Sequence, residues 1–131
     1  MPIRENYQTL INVAEKDLYV AKLIADSEKV YIEGACFHCQ QCAEKALKAF
    51  LIFNKIDYDF IHNLEKLCND CIILDDSFSY LFNHCLILNS YTPDTRYFDN
   101  SIIPDREMHE AIELAEDVYK FVQEKINKES K

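Results

Sequence analysis

The sequence predicts an all-α fold, an up-and-down bundle of four main helices plus one short helix. Two observations lead to this prediction. Apolar residues recur at three- and four-residue steps over long stretches, and the 131 residues include one glycine and three prolines. Hairpins and glycine-rich phosphate loops need backbone positions with positive φ, and Gly34 alone can supply few of them. The length suits one domain, so we expect residues 1–131 to form a single helical unit.

The composition narrows the class of protein further. The formal net charge is −9, which opposes non-specific attraction to nucleic acid, so any site for a polyanion has to be local. No apolar run is long enough to span a bilayer, and the opening residues MPIRENYQTL lack the apolar core of a signal peptide. We therefore expect a cytoplasmic protein with no membrane segment and no cofactor.

The first two predicted helices carry different stripes. Residues 3–26 form an amphipathic helix with its apolar stripe at Leu10, Ala14, Leu18, Ala21 and Ala25. Residues 29–54 form a helix with a stripe of small side chains at Ala35, Cys39, Cys42, Ala46 and Ala49. Small residues let neighbouring helices approach closely, so we expect the second helix to lie at the centre of the bundle.

The rest of the chain is divided by residues that favour turns and caps. Asn63 is the expected N-cap of a short third helix, and the Asp75-Asp76-Ser77 run precedes a fourth helix. Pro104 is expected in the first turn of the last helix. The predicted order is a loop at 54–63, the short helix from 64, the fourth helix at 78–91, an irregular segment at 92–104 and the last helix at 105–127.

The six cysteines have two interpretations. Cys36-x-x-Cys39 and Cys68-x-x-Cys71 have spacings that resemble those of zinc ligands. Zinc knuckles place such pairs on tight turns, whereas both pairs here fall inside predicted helices. Cysteine also packs well as a small apolar group. We therefore expect reduced thiols in the core and no metal site.

The second helix also carries a polar stripe. His38, Gln41, Lys45 and Lys48 follow one another at steps of three, four and three, and Glu44 precedes Lys48 by four residues. The simplest interpretation is a solvated helix face with one intrahelical ion pair. The functional alternative is a phosphate or ribose site, because two lysines supply local positive charge on an acidic protein.

Three further polar residues lie in or beside the predicted loops. Arg96 and Tyr97 fall in the irregular segment after the fourth helix, where an arginine can fork onto a phosphate while a tyrosine stacks on a base. The alternative is a structural arginine at the end of the bundle. His62 lies at the start of the third helix, and lone histidines are more often structural hydrogen-bonding groups than ligands.

Taken together, these patterns resemble the HEPN family, whose name stands for higher eukaryotes and prokaryotes nucleotide-binding. The resemblance covers roughly residues 5–126, and its most specific part is the second helix. The motifs that match are ACFHCQQCAEKALKAFL at 35–51, HNL at 62–64, Tyr91 followed by RYF at 96–98, and an opening helix of the type Ala14-x-x-Asp17-Leu18-x-x-Ala21.

The resemblance implies a helical bundle that is usually a homodimer and binds nucleotides. Bacterial members are often encoded beside a minimal nucleotidyltransferase, in systems of the toxin–antitoxin kind. The leading hypothesis is therefore a non-catalytic module that binds a nucleotide or RNA and works with such a partner. To His38 on the polar stripe, the resemblance adds the family's recurrent polar positions Gln41, Glu44, Lys45, Lys48, His62, Arg96 and Tyr97.

Two other functions remain open. The ribonuclease branch of the family carries an arginine, four to six residues and then a histidine, but Arg106 and His109 are separated by only two residues. A degenerate ribonuclease would have to combine His62 or His109 with Arg96 or Arg106, because the chemistry needs an acid or base and a cation. The third hypothesis is a pure protein-interaction bundle, in which the polar stripe is solvated surface and the aromatic-rich fourth helix is a dimer face. Independently of these hypotheses, Tyr7, Tyr19 and Phe98 are candidate interface aromatics.

Overall fold

A computed structural model describes residues 6–28, 31–58, 63–91 and 103–130. These residues form helices and no strand, which confirms the all-α prediction. The helices are α1 (Tyr7–Asp26), α2 (Ile32–Phe53), α3 (Leu64–Leu74), a 3₁₀ helix (Asp76–Leu81), α4 (Phe82–Asn89) and α5 (Asp105–Glu129).

Helix α2 lies at the centre of the bundle, as its small side chains predict. It contacts α1, α3, α4 and α5. The small-residue stripe of α2 is completely buried. Close approach is visible at two thiols: Cys42 Sγ lies 3.9 Å from the carbonyl oxygen of Ala115 on α5, and Cys71 Sγ on α3 lies 3.7 Å from that of Leu47.

The long helices α1 and α2 are antiparallel. The Tyr7 and Phe53 rings, at opposite ends of the two helices, meet with centroids 5.1 Å apart. Helix α5 is antiparallel to α1, because Tyr119 donates a 2.8 Å hydrogen bond to Glu15 while Glu116, earlier in α5, pairs with Lys22. Helices α2 and α5 therefore run in the same direction.

Helix α3 packs antiparallel to the segment that follows it. The Leu64 N–H donates to Asn89 Oδ1 at 2.9 Å, and Cys68 Sγ lies 3.7 Å from the carbonyl oxygen of Phe78. After α2 the chain turns back along that helix, since the Tyr58 ring lies 4.7 Å from Lys48 Nζ. This turn brings Tyr58 against the polar side of α2.

One helix boundary follows its predicted cap. Asn63 is the N-cap of α3, where its Oδ1 accepts hydrogen bonds from the N–H groups of Glu65 and Lys66 at 3.0 and 3.3 Å. The fourth helix differs from the prediction, because it starts as a 3₁₀ helix at Asp76 and its α-helical part ends at Asn89. Asp75 causes the early start, since its side chain caps Ser77.

Pro104 also differs by one position from its prediction. It is the N-cap of α5 and has an extended conformation, with φ −65° and ψ 148°. A helix therefore begins after it, at Asp105, and not at the proline itself. Most of the predicted irregular segment, 92–102, lies outside the described residues.

The hydrophobic core contains residues of the predicted apolar stripes and all six cysteines. All six thiols are free and fully buried, which confirms the prediction that they pack in the core. Over the part of the chain that the structure describes, none of the helices combines the length and hydropathy needed to cross a membrane.

Candidate functional site

The polar side of α2 is not a solvated face. Glu44 is fully buried and Lys48 is only 5% exposed, so the simplest interpretation of the sequence is wrong for these two residues. Lys48 Nζ lies 3.1 Å from Glu44 Oε2, as expected for residues four apart on a helix. Lys45 Nζ lies 3.8 Å from the same oxygen, and its side chain is 25% exposed. We call Glu44, Lys45 and Lys48 the ionic cluster.

The ionic cluster carries local positive charge. One carboxylate and two ammonium groups sum to +1 on a chain with a formal net charge of −9. The Tyr58 ring lies over Lys48 and adds a cation–π contact. Pairing of this kind offsets part of the cost of taking charges out of water. The cluster therefore has the sign of charge that a phosphate needs.

Gln40 is a polar residue of this region that the sequence interpretation missed. It is fully buried, one helical turn before Glu44. Its Oε1 accepts a 2.7 Å hydrogen bond from Gln41 Nε2, while its own Nε2 has no partner among the described residues. The four-residue spacing of Gln40, Glu44 and Lys48 places them on one line along the helix, so the sequence could have indicated Gln40. The predicted polar stripe instead ran through His38 and Gln41, beside that line.

His38 lies on a different side of α2. Its Nδ1 is 2.9 Å from Asp17 Oδ1 on α1, so its ring is held in the contact between these helices. At about 100° per residue, His38 and Gln40 point to nearly opposite sides of α2. The structure thus brings together Glu44, Lys45 and Lys48, and it places His38 against α1 on the side of α2 away from Gln40.

Of the remaining predicted site residues, the structure describes His109. His62, Arg96 and Tyr97 lie outside the described residues. His109 is on the first turns of α5, where its Nε2 is 3.3 Å from Asp105 Oδ2 and both side chains are exposed. Tyr7 packs against Phe53, whereas Tyr19 is 62% exposed.

Comparison with known proteins gives the family. The sequence profile of the HEPN domain matches residues 7–126, which is most of the chain. The chain belongs to the HEPN domain family. No curated protein matches it significantly.

Two crystal structures resemble this HEPN chain over nearly their whole length. One is ST0689, an archaeal HEPN homologue, which is 29% identical with a TM-score of 0.74 and with 94% of this chain and 99% of that chain covered. The other is TT1696 from Thermus thermophilus, which is 26% identical with a TM-score of 0.75 and coverages of 91% and 97%. Both likenesses extend over the bundle as a whole.

Three thiols of this HEPN domain, those of Cys36, Cys39 and Cys71, are poorly suited to nucleophilic or ligand chemistry. Burial raises the pKa of Cys36 to about 12 and raises those of Cys39 and Cys71 further. A thiol with a raised pKa is rarely a thiolate at neutral pH, and the thiolate is the reactive form. In the described parts of the chain, no three His, Cys, Asp or Glu side chains are grouped to hold a metal ion.

Proposed function

We propose that this HEPN domain binds a nucleotide or RNA through α2 and does not catalyse a reaction by itself. The observation that supports this is the buried ionic cluster of Glu44, Lys45 and Lys48. A buried ion pair is often no more stabilising than apolar residues of the same volume, so stability alone does not account for its presence on a central helix. Anion binding accounts for the presence of the cluster, because its two ammonium groups share one carboxylate.

Other residues of the family pattern complete the proposed site. Arg96 forks onto a phosphate, Tyr97 stacks on a base or sugar, and His62 adds a hydrogen-bonding group. Lys45 is the lysine of the cluster that is open to an arriving ligand, since its side chain is 25% exposed and that of Lys48 is 6% exposed. Gln41 is half-buried beside it.

The proposal extends to partners and setting. We infer from the family that the domain is a cytoplasmic homodimer and acts with a minimal nucleotidyltransferase, in a system of the toxin–antitoxin kind. The exposed ring of Tyr19 supports a contact surface on α1. The ribonuclease alternative gains nothing from the described geometry, because His109 is paired with Asp105 on an exposed turn.

Calorimetric titration tests the binding proposal. The wild-type protein would be titrated with ATP, GTP and a short single-stranded RNA, beside Lys45→Ala and Arg96→Ala. We expect each variant to bind about tenfold more weakly, because a hydrogen bond to a charged group contributes about 1.5 kcal/mol or more. Lys128→Ala is the matched control, since it removes one exposed lysine near the end of α5.

The outcomes separate the three functions. Weaker binding in Lys45→Ala and Arg96→Ala, with Lys128→Ala unchanged, supports the proposed site. Absence of heat with every ligand contradicts it and leaves the interaction bundle. Cleavage of the RNA that disappears in His109→Ala or Arg96→Ala would instead support the ribonuclease.

A further inference from the structure

Two thiols of the core face each other between α3 and α4. The Leu64 N–H donates to Asn89 Oδ1 at 2.9 Å, which fixes the register of these antiparallel helices. One helical turn away from that contact, the two helices carry Cys68 on α3 and Cys85 on α4. Both thiols are 0% exposed, and they are hydrogen-bonded to each other. The register of the two helices therefore sets this pair.

A backbone carbonyl sets the direction of the thiol–thiol hydrogen bond. Cys68 Sγ lies 3.7 Å from the carbonyl oxygen of Phe78, which accepts the Cys68 S–H. The lone pairs of the Cys68 sulfur are then left for the S–H of Cys85. This hydrogen bond lowers the pKa of Cys68 below its ordinary value and raises the pKa of Cys85. Cys68 is accordingly the more readily ionised thiol of the two, and the thiolate is the form that reacts.

We propose that Cys68 and Cys85 are a modification site, at which a peroxide converts the two thiols into a disulfide that joins α3 to α4. The inference goes beyond the proposed function and does not depend on it. Two sulfurs in hydrogen-bonding contact have to approach by less than the length of the bond that they form, which is about 2 Å. Disulfides that form in reducing compartments are usually transient and redox-sensing.

The oxidation balances in two steps. The Cys68 thiolate attacks one peroxide oxygen, the O–O bond breaks, and the leaving hydroxide takes up the proton that Cys68 released. Cys68 is then a sulfenic acid. The Cys85 sulfur attacks the Cys68 sulfur, the S–O bond breaks, and the leaving hydroxide takes up the Cys85 proton. The thiol pair loses two electrons, the peroxide gains them, and two molecules of water leave.

Complete burial makes the first step depend on a local opening. Helices α3 and α4 have 11 and 8 residues, whereas the three long helices have 20, 22 and 25. Local opening takes less free energy than global unfolding, and small elements with few buried contacts open most readily. A peroxide molecule, which is little larger than water, reaches Cys68 in the open state. When the helices close, their register returns Cys85 to the sulfenic acid.

Peptide mapping of the wild-type protein tests the pair. The folded protein is treated with hydrogen peroxide, the remaining thiols are blocked with N-ethylmaleimide, and the chain is cleaved before its aspartates. Cleavage leaves each cysteine of this region on its own fragment, with Cys68 on 59–69, Cys71 on 70–74 and Cys85 on 76–93. We expect 59–69 to be joined to 76–93, with a mass lower by two hydrogens, and dithiothreitol to separate them.

Cys71→Ala is the matched control for the two pair variants. It removes another buried thiol of α3 and keeps the pair, so peroxide should join the same two fragments. Cys68→Ala and Cys85→Ala are expected to lose the link. Peroxide should also raise the melting temperature of the wild type and of Cys71→Ala, because a cross-link restricts the unfolded chain, and dithiothreitol should reverse the rise. Neither pair variant should show it.

The mapping of the wild type decides the question even where a variant folds poorly. Fragments 59–69 and 76–93 that become joined in the folded protein support the inference. A link from Cys71 to Cys85, or a link that forms only in urea, overturns it because the folded register would not select the pair. Thiols that all remain blockable after peroxide, or a Cys68 sulfinic acid without a link, also overturn it. None of these outcomes changes the test of nucleotide binding.

Discussion

At the scale of single residues, two charged side chains of α2 are buried. Glu44 is fully buried and Lys48 nearly so, although moving one unpaired charge into the interior costs several kcal/mol. The 3.1 Å pair between them and the Tyr58 ring over Lys48 offset part of this cost.

Asp75 is a second charged residue that stabilises the fold, and it lies between α3 and the 3₁₀ helix. Its Oδ1 accepts hydrogen bonds from the Ser77 hydroxyl and N–H at 2.6 and 3.0 Å, and its Oδ2 lies 3.0 Å from Lys125 Nζ on α5. The hydrogen bond from the Ser77 hydroxyl, followed by that from Lys125, lowers the pKa of Asp75 below its usual 3.8. Stability from this carboxylate is therefore present above pH 3.8 and lost as the pH falls below it.

Asp75→Asn tests this contribution. We expect the variant to be less stable than the wild type by about 0.5–1 kcal/mol near neutral pH, a value reduced by the partial exposure of the pair. The difference should shrink when the pH is lowered from neutral to about 3, because the unfolded chain binds a proton at this carboxyl more readily than the folded protein does. Urea unfolding at both pH values measures it, and an equal difference at both would contradict the explanation.

At the scale of elements, the end of α2 is the most instructive feature. Lys55 has φ 62°, a left-handed conformation, and its N–H donates to the Ile52 carbonyl while the Ile56 N–H donates to the Leu51 carbonyl. These two bonds form a Schellman motif, in which the left-handed position is usually glycine. The motif turns the chain back toward Tyr58 and the ionic cluster. In this chain, which has one glycine, Lys55 occupies the left-handed position.

Lys55→Gly is expected to stabilise the domain. A left-handed conformation costs an ordinary residue about 1 kcal/mol, and glycine avoids that strain while losing more backbone freedom on folding. We expect a net gain of about 0.5 kcal/mol in the free energy of unfolding, measured with urea. Lys55→Ala removes the same side-chain charge and keeps the strain, so it should show no gain. Equal effects of the two variants would refute the explanation.

Much of the element structure could be predicted from the sequence. The stripes of α1, α2 and α5 and the Asn63 cap are local patterns, and local patterns decide where helices form. The start of the fourth helix was misplaced because Asp75 can end one helix and cap the next, and a hydrogen bond to Ser77 decides between these roles. The site was harder, because burial of Glu44 and Gln40 depends on what packs over α2 and not on their spacing.

At the scale of the whole molecule, helix α1 exposes two large apolar side chains that do not pack into the core. Tyr19 and Leu23 are 62% and 52% exposed and lie four residues apart on one side of the helix. Large exposed apolar side chains are typical of contact surfaces. This supports the proposed homodimer with α1 in its interface.

A double variant tests the dimer. We expect wild-type protein to have the mass of a dimer in size-exclusion chromatography with light scattering, and Tyr19→Ala with Leu23→Ala to shift it to the monomer. The control is Ile73→Ala, which removes an 83% exposed side chain from α3 and should leave the mass unchanged. A monomeric wild type, or a double variant that stays dimeric, would refute the proposed interface.

The sequence by itself determined the all-α class, the central position of α2, the burial of the cysteines and the likeness to the HEPN family. Each of these depends on periodicity or on a motif, which are properties of neighbouring residues. The tertiary structure decided which polar residues are buried, that His38 faces α1, and that the Gln40 amide lacks an acceptor among the described residues. Burial is a property of whatever packs against a side chain, so it appears only when distant segments come together.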